Sequence, residues 1–301
     1  MIKYLKHSKI DKLKWDKNIE NSQFPIVYAM SWYLDRVCPG WEALVEDNYK
    51  AVFPLTCKRK IGFHYLYQPF FTQQLGLFTT KKDTNLRKFI DSLPPKYKYV
   101  QISLNENNQL PEGDWEVIRN QTHHLDLDHD VDAIRKSYSE NTKRNLKKAQ
   151  KHELKIVRND RFSDLIRLFR ENRGGELKKL KDHHFITLLD IMEESLHRDL
   201  GCAYSVYTEE GDYCAGAFFL KSFDRSIFLF SATDKAARKN GAMAALIDHF
   251  VGQHCNRKVT LDFEGSNLRN LARFYAGFGA KPVVYNGLVR NKLPGIIRWM
   301  K

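Results

Sequence analysis

The sequence predicts a mixed α/β protein made of two domains of similar design. The 301-residue chain is 43% hydrophobic and 13% aromatic, so it has enough apolar side chains for two ordinary cores. A predicted order of two helices, three strands and a further helix occurs once in each half, at weak sequence similarity. We place the boundary near residues 120–124 and predict domains over residues 1–122 and 123–301.

The elements of the first half follow from apolar periodicity and from turn residues between short runs of β-branched and aromatic residues. In chain order, they are helices near residues 9–18 and 26–37, a strand from Trp41, a polar turn at residues 46–48, a strand over residues 51–57, a basic turn at residues 58–62, an aromatic strand over residues 63–67 and a helix over residues 86–93.

The second half repeats this order after a short strand over residues 125–127 and a helix over residues 131–150. Its further predicted elements are helices over residues 162–173 and 185–198, strands over residues 202–208, 215–220 and 226–230, a helix after residue 243, a strand over residues 259–264 and a helix that begins at Ser266.

The basic charge of the chain is concentrated in one stretch. Basic residues exceed acidic residues by 49 − 36 = 13, and residues 135–181 contain 16 basic and 6 acidic residues. Lys143, Lys147 and Lys151 form a row at i,i+4 spacing within it. Such a row is typical of a solvated helix face, but it also fits contact with an anion such as a phosphate or a nucleic acid, and both interpretations stay open.

Several classes of protein do not fit this sequence. No apolar run reaches the length of about 18 residues that a membrane-spanning helix needs, and no signal peptide is recognisable, so we expect a cytoplasmic protein. The five cysteines are odd in number and far apart, as in reduced proteins. His123, His124 and Asp126 lie close together without the ligand spacing of a zinc site, and we expect no metal.

Three segments resemble the FemABX-like branch of the GNAT superfamily. They are "SYSENTKRNLKKAQKHELKI" at residues 137–156, "LDFEGSNLRNLARFYAGFGAKPVVY" at residues 261–285 and "QPFFTQQLGL" at residues 68–77. The resemblance implies two tandem GNAT-like domains, each with an α/β fold around a mixed sheet, and an acyltransferase whose chemistry lies in the C-terminal domain. Acyl-CoA, such as acetyl-CoA, is the co-substrate that the superfamily implies.

The resemblance also implies where this carrier binds. GNAT proteins hold its pyrophosphate on a glycine loop at a helix start, where backbone N–H groups have no partners and the helix dipole favours an anion. The residues that we assign to this role are Ser231, Ala232, Arg238, Lys239, Asn240, Gly241 and Ala242. Met243 departs from the pattern, which has glycine or alanine there. The first half has no glycine at residues 79–84, so we expect only one carrier site.

Three residues are candidates for the chemistry. We expect Asp262 and Glu264 to share a strand face, because side chains alternate along a strand, and Glu264 to act as general base toward an amine. The alternative is that both carboxylates only bind the following loop. The resemblance suggests Tyr275 as the acid that protonates the departing thiolate, although its helical spacing also fits a core residue.

Tyr65, Tyr67, Gln68, Gln73 and Asn267 are our candidates for binding the acceptor. The leading interpretation is transfer of an acyl group from acyl-CoA to a small-molecule or peptidoglycan-precursor-like amine. One alternative is a FemX-like transferase that uses aminoacyl-tRNA and acts on a cell-wall amine, which the basic stretch favours. A second alternative is a binding protein of the same fold without catalysis.

Overall fold

A computed structural model describes residues 1–60, 62–82, 84–109, 113, 115–173, 180–235, 237 and 239–295. The chain divides into two compact units. The first contains residues 1–120 and 284–301, and the second contains residues 121–283. The chain first passes from one unit to the other after residue 120, two residues before the predicted boundary after residue 122. The predicted division at 122/123 also differs at the C-terminal end, because residues 287–291 pair with a strand of the first unit.

Among the described residues of the first unit, the chain forms seven strands and three α-helices before it crosses to the second. In order they are β1 (Ile2–Leu5), α1 (Lys12–Glu20), α2 (Ser31–Val37), β2 (Glu42–Glu46), β3 (Ala51–Leu55), β4 (Cys57–Lys60), β5 (Phe63–Leu66), β6 (Phe78–Thr79), α3 (Leu86–Asp91) and β7 (Tyr97–Ser103).

A long strand, β8 (Glu116–Asp126), leads the chain into the second unit. The next elements are α4 (Val131–Lys136), α5 (Glu140–Lys151), β9 (Lys155–Asn159), α6 (Phe162–Arg173), α7 (Asp182–His197), β10 (Gly201–Tyr207), β11 (Tyr213–Ser222), β12 (Arg225–Thr233), α8 (Ala242–His254), β13 (Thr260–Asp262) and α9 (Arg269–Ala276). A last strand, β14 (Lys281–Asn291), returns the chain to the first unit.

Strands of the first unit pair in two groups. The order β1-β2-β3-β6 is antiparallel throughout, and β4-β5-β7-β14 contains one parallel pair, β5 with β7. A buried cluster that includes Phe53, Phe89 and Val100 joins the two groups and α3. Burial of such side chains is what stabilises the unit, at about 25 cal/mol per Å² of apolar surface removed from water.

The second unit is built on one run of strands in the order β8-β13-β12-β11-β10-β9. All neighbours are antiparallel except β12 and β13, which are parallel. Its core packs α8 against the sheet, where the rings of Phe219 and Phe250 stack at 3.8 Å between centroids. The apolar sequence of α8 follows from this position, because Leu246, Ile247 and Val251 are fully buried.

The two units repeat the same topology, but the predicted third strand of the first repeat was wrong. Strands β1-β2-β3-β6 correspond in order and direction to β9-β10-β11-β12, and α3 follows β6 as α8 follows β12. The aromatic strand β5 instead pairs with β4 and β7. The predicted basic turn at residues 58–62 is mostly β4, because Lys58 and Lys60 pair across to Tyr65 and Phe63.

The single helix predicted over residues 131–150 is in fact two helices. Ser139 interrupts it as the N-cap of α5, where its hydroxyl accepts a hydrogen bond from the Thr142 amide at 3.2 Å. Its own amide donates to the Gly277 carbonyl at 2.8 Å. The break therefore has a local cause, since a capped helix start replaces the helical bonds that a continuous helix would need.

No helix among the residues that the structure describes combines the length and the apolar character needed to cross a membrane.

Candidate active site

The parallel pair β12 and β13 separates partway along the second unit. Pairing runs only from Arg225 with Thr260 to Ile227 with Asp262, although β12 continues to Thr233. Beyond Asp262 the chain stays with β8, because the Phe263 amide donates to the His123 carbonyl at 3.0 Å. The second half of β12 therefore loses its neighbour on this side, and a gap opens within the sheet.

A β-bulge marks β12 at the same place. Its pairing with β11 passes from Phe228 opposite Phe219 to Phe230 opposite Phe218, so Leu229 is an extra residue on β12. A bulge bends its strand and changes the direction in which the following groups point, which is why bulges are frequent beside active sites. Here the bulge at Leu229 lies two residues beyond the last pair of β12 with β13, at the start of the gap.

A cavity of about 590 Å³ occupies this gap. Four elements border it: the end of β12, the start of α8, α9 with the residue before it, and α5 through Asn145. The lining residues are Asn145, Phe228, Ser231, Ala232, Thr233, Ala237, Gly241, Ala242, Met243, Ala244, Leu268, Arg269, Asn270, Leu271, Phe274 and Tyr275. Four of the predicted carrier residues, Ser231, Ala232, Gly241 and Ala242, are thus brought together, and predicted Tyr275 joins them.

Gly241 stands at the N-cap of α8 with a left-handed backbone, φ +84°. A Cβ at this position would lie 2.1 Å from the Asn145 carbonyl oxygen of α5, a distance that no side chain tolerates. Glycine is therefore required here by backbone conformation and by the approach of α5, and this requirement exists without any ligand. The sequence interpretation gave this glycine a role in carrier binding alone.

The start of α8 has amide groups directed at the cavity. The Asn240 side chain accepts from the Ala242 amide at 3.0 Å, so this predicted carrier residue closes the loop. Among the residues that the structure describes, the amides of Met243 and Ala244 have no acceptor. Two unpaired donors at a helix N-terminus are the feature that binds anions such as phosphate.

The remaining predicted carrier residues are Lys239 and Arg238, and Met243 is the position that departs from the GNAT pattern. Lys239 is exposed beside it, and Arg238 lies outside the described residues. The Met243 side chain lines the cavity and also packs against the core, partly buried. The departure from the GNAT pattern thus places a flexible apolar side chain beside the amides, with part of its surface covered by the protein.

Helix α9 forms the opposite wall through an aromatic residue. Tyr275 is 5% exposed and stacks on Phe263, with ring centroids 4.7 Å apart and planes 16° apart. It also lines the cavity. The two interpretations of Tyr275, as core residue and as site residue, are therefore compatible, because the ring packs on Phe263 through one face while the residue still borders the cavity.

Asp262 is held in a network of donors. Its carboxylate accepts from the Thr122 hydroxyl and from the Glu264 amide, and its other oxygen lies 3.3 Å from His124 Nε2. Burial alone would raise the pKa of Asp262. The nearby His124 ring, with the Thr122 hydroxyl and the Arg225 charge, outweighs burial and holds the pKa of Asp262 below its usual value.

Glu264 lies beyond the end of β13 with φ +50°. The prediction that it shares a strand face with Asp262 was wrong, because the left-handed residue ends the alternation on which that argument rests. The residue keeps partial exposure, but its carboxyl is enclosed by protein, and this burial raises the pKa of Glu264 to about 8. The two carboxyls thus differ in the protonation state expected near neutral pH.

The segment after Glu264 is braced by side chains. Ser266 donates to the Glu264 carbonyl at 2.9 Å, and it does not cap the following helix as predicted, since α9 begins at Arg269 after Leu268. Asn267 accepts from the Gln121 amide at 2.9 Å. This contact fixes the loop to β8, which supports a positioning role for Asn267; its predicted role in binding the acceptor stays a prediction.

The predicted acceptor residues of the first half make contacts within their own unit. Tyr67 donates to the Val37 carbonyl at 3.4 Å, and the Lys58 ammonium lies 4.4 Å from its ring centre. Gln68 accepts from the Ser103 amide at 2.9 Å and donates to the Thr72 carbonyl at 2.8 Å. These contacts hold the side chains of Tyr67 and Gln68 in place within the first unit whether or not a ligand binds. The ring centres of Tyr65 and Tyr67 lie 6.0 Å apart, and the side-chain oxygen of Gln73 accepts a hydrogen bond from the Gln74 side chain at 3.0 Å.

Sequence reasoning missed several cavity residues. Asn145 comes from α5, about 95 residues before the loop that it touches, and nothing local in the sequence indicates this contact. Arg269 and Asn270 open α9, and the expected helix start at Ser266 placed them inside the helix. The polar pair Arg269 and Asn270 could have indicated the true start of α9, because the backbone N–H groups in the first turn of a helix lack intrahelical partners and favour polar surroundings.

A comparison with protein families matches residues 136–270 to the acetyltransferase (GNAT) domain. The match contains α5, β12, the Gly241 loop, α8 and both carboxylates. A search of curated proteins finds no significant match.

Three solved structures share the fold along most of the chain. FemX has a TM-score of 0.62 at 13% identity, over 93% of this chain and 96% of that chain. A conserved protein of unknown function from Bacteroides thetaiotaomicron VPI-5482 has a TM-score of 0.61 at 10% identity, over 96% and 99%. L-PGS from Bacillus licheniformis has a TM-score of 0.54 at 10% identity, over 96% and 94%.

These comparisons confirm the predicted tandem fold, and the family match lies in the half that contains the cavity. At identities of 10% to 13% the structural likeness concerns the fold, whereas the domain match concerns the kind of enzyme. The chain is thus an acyltransferase that contains a GNAT acetyltransferase domain at residues 136–270, within a two-domain fold that resembles that of FemX.

Proposed function

We propose that the protein transfers an acyl group from acyl-CoA to an amine, with both substrates meeting in the cavity between β12 and α9. The observation that supports this most directly is the opening of β12 and β13 onto the start of α8. The gap beside the end of β12 gives an extended carrier arm a place to bind, and the amides of Met243 and Ala244 lie where an anionic diphosphate would bind.

In the proposed reaction, Glu264, which is not among the residues that line the cavity, takes a proton from the ammonium group of the acceptor through a water molecule. The amine nitrogen then attacks the thioester carbonyl, the carbon–sulfur bond breaks, and Tyr275 gives a proton to the departing thiolate. The new amide nitrogen gives up its extra proton to the Tyr275 oxygen, which restores the tyrosine. A carboxyl with a pKa of about 8 suits this role, because proton transfer is most efficient when the base titrates near the working pH. Asp262 holds the Glu264 amide and stays ionised.

A second donor, aminoacyl-tRNA, has one specific observation in its favour. Helix α5 exposes Arg144, Lys147, Lys148 and Lys151 to solvent, and α5 also borders the cavity through Asn145. A row of cations beside a reaction site suits a polyanion such as RNA. FemX is one of the structures with this fold, so a cell-wall-precursor amine is the first acceptor class to test with either donor.

A thermal-shift series separates these proposals. We expect CoA and acetyl-CoA at 100 times their Kd to stabilise the protein by about 2.7 kcal/mol, because they bind only the folded chain. Bulk tRNA with no effect would leave acyl-CoA as the donor. Stabilisation by tRNA but not by CoA would replace the proposal with the aminoacyl-tRNA reaction, and no response to either would favour a binding protein without this chemistry.

A further inference from the structure

Helix α5, which lies in one of the segments that resemble the FemABX-like branch, contributes to the cavity. The sequence left open only that its row of lysines contacts an anion, and gave Asn145 no role. Thr142, Asn145 and Ala149 lie on one face of α5, at spacings of three and four residues. Thr142 and Ala149 are buried, and Asn145, between them, lines the cavity. Asn145 is therefore directed inward, toward the same space as the start of α8.

Two sets of contacts fix this helix independently of the Asn145 side chain. At its start, the Thr142 hydroxyl donates to the Gly277 carbonyl at 2.8 Å, and the Ser139 amide donates to the same oxygen. In its middle, the Asn145 carbonyl rests against Gly241, whose absent Cβ leaves room for it. Helix α5 is thus anchored to the end of α9 and to the N-cap of α8 at once.

The Asn145 carboxamide has no hydrogen-bond partner among the residues that the structure describes, although its residue is partly buried. It lies next to the loop that precedes the two unpaired amides of α8. A carboxamide Nδ2 group donates two hydrogen bonds, and donors beside a helix N-terminus strengthen binding of an anion. The exposed Lys147 adds positive charge on the same helix, whereas Lys143 is paired with Glu140 at 3.1 Å.

We propose that Asn145 binds the diphosphate of the carrier, so that α5 provides the third side of the anion site. The inference rests on the proposed function, because it takes the carrier to be a CoA thioester. Arg269 and Asn270 lie on the α9 side of the same cavity, which leaves Asn145 as the side-chain amide on the α8 side.

The test compares Asn145→Asp and Asn145→Ala with the wild-type protein, using CoA and dephospho-CoA in calorimetric titrations. Aspartate has nearly the same shape but only accepts, so it should weaken both ligands at least tenfold, which corresponds to about 1.4 kcal/mol. Alanine should weaken both by about threefold to tenfold. Dephospho-CoA keeps the diphosphate and lacks only the ribose phosphate, so equal losses point to the diphosphate.

The matched control is Asn141→Asp, which makes the same charge change on an exposed position of the same helix and should leave both affinities within twofold. Thermal midpoints of all variants should agree with wild type within about 2 °C. Unchanged CoA affinity in both Asn145 variants would overturn the inference, and so would a loss for CoA alone. If wild-type protein binds neither ligand, the proposed function itself fails, and the inference falls with it.

Discussion

The two carboxyl groups at the end of β13 differ in almost every respect that the sequence could not reveal. They are two residues apart, and the sequence predicted that they share a strand face with Glu264 as the general base. Asp262 accepts from Thr122 and lies beside His124, and its pKa is lowered, whereas Glu264 turns into a left-handed conformation and burial raises its pKa. The contacts that separate them come from β8, far away in the chain, so no local pattern encodes them.

Glu264→Gln should abolish the pH dependence that the base imposes. In wild type, the rate of the acyl-transfer step should rise with pH through about 8, because only the deprotonated carboxylate accepts a proton. The variant should lose about 100-fold in kcat near pH 8 and retain CoA affinity. Rates measured from pH 6 to 10, with the exposed Glu209→Gln as control, check this. A rising limb that persists unchanged in Glu264→Gln would assign the titration to another group.

Asp262→Asn should act on stability more than Glu264→Gln does. It removes a buried ionised group from its partners and should lower the free energy of unfolding by about 3 kcal/mol at pH 7. The pKa of Asp262 is depressed in the folded state, so the stability that it adds is present above its unfolded pKa, near 3.9, and is lost as pH falls further.

Urea unfolding at pH 7 and at pH 3 measures this effect. The same substitution at Asp126, whose carboxylate is mostly exposed beside His129, should change stability by no more than about 0.5 kcal/mol. Equal effects at the two positions, or an Asp262→Asn penalty that grows toward pH 3, would show that the network does not stabilise the fold in this way.

At the scale of elements, the glycine loop and α8 were recognised from the sequence, but the reason for the glycine was only partly found. Anion binding at a helix start and a left-handed N-cap both favour glycine, and the presence of Gly241 in the sequence does not tell the two reasons apart. The contact with α5 adds a third reason, which needs the tertiary structure. The same holds for the break between α4 and α5, where the partner that fixes Ser139 is Gly277, 138 positions later.

Gly241→Ala should therefore destabilise the fold even without ligand. A left-handed residue with a Cβ costs about 1–2 kcal/mol, and the collision with the Asn145 carbonyl adds to this. Gly211 is the matched control, because it has φ +91° and open space around the position of a Cβ. Denaturant unfolding should show a larger loss for Gly241→Ala than for Gly211→Ala. Equal losses would mean that α5 does not press on this loop.

For the whole molecule, the repeat of elements could be predicted from the sequence because turns and apolar runs are local features. Helix α6 was predicted over its observed residues, and β10 within one residue. The pairing was harder: β6 has only two residues, so the longer aromatic strand β5 was taken for the third strand of the repeat. The return of β14 to the first unit was likewise hidden, since strand order depends on distant partners.

The first unit differs from the second at the position of the carrier site. The loop after β6 is closed by a 2.7 Å hydrogen bond between the Thr79 and Thr84 hydroxyls, and it leads to α3, which has six residues. The Asn85 side chain accepts from the Arg87 amide at 2.8 Å, so one donor at this helix start is already occupied. We therefore expect a repeated fold with one carrier site.

Calorimetric titration of the full chain with CoA tests this central claim most directly. If the cavity between β12 and α9 holds acyl-CoA and the first unit has no equivalent, one mole of CoA should bind per mole of chain, and acetyl-CoA should compete for the same site. Ser231→Phe, which fills the cavity from β12, should remove this binding while the protein stays folded. Two moles bound per chain, or tight binding that survives Ser231→Phe, would contradict the account.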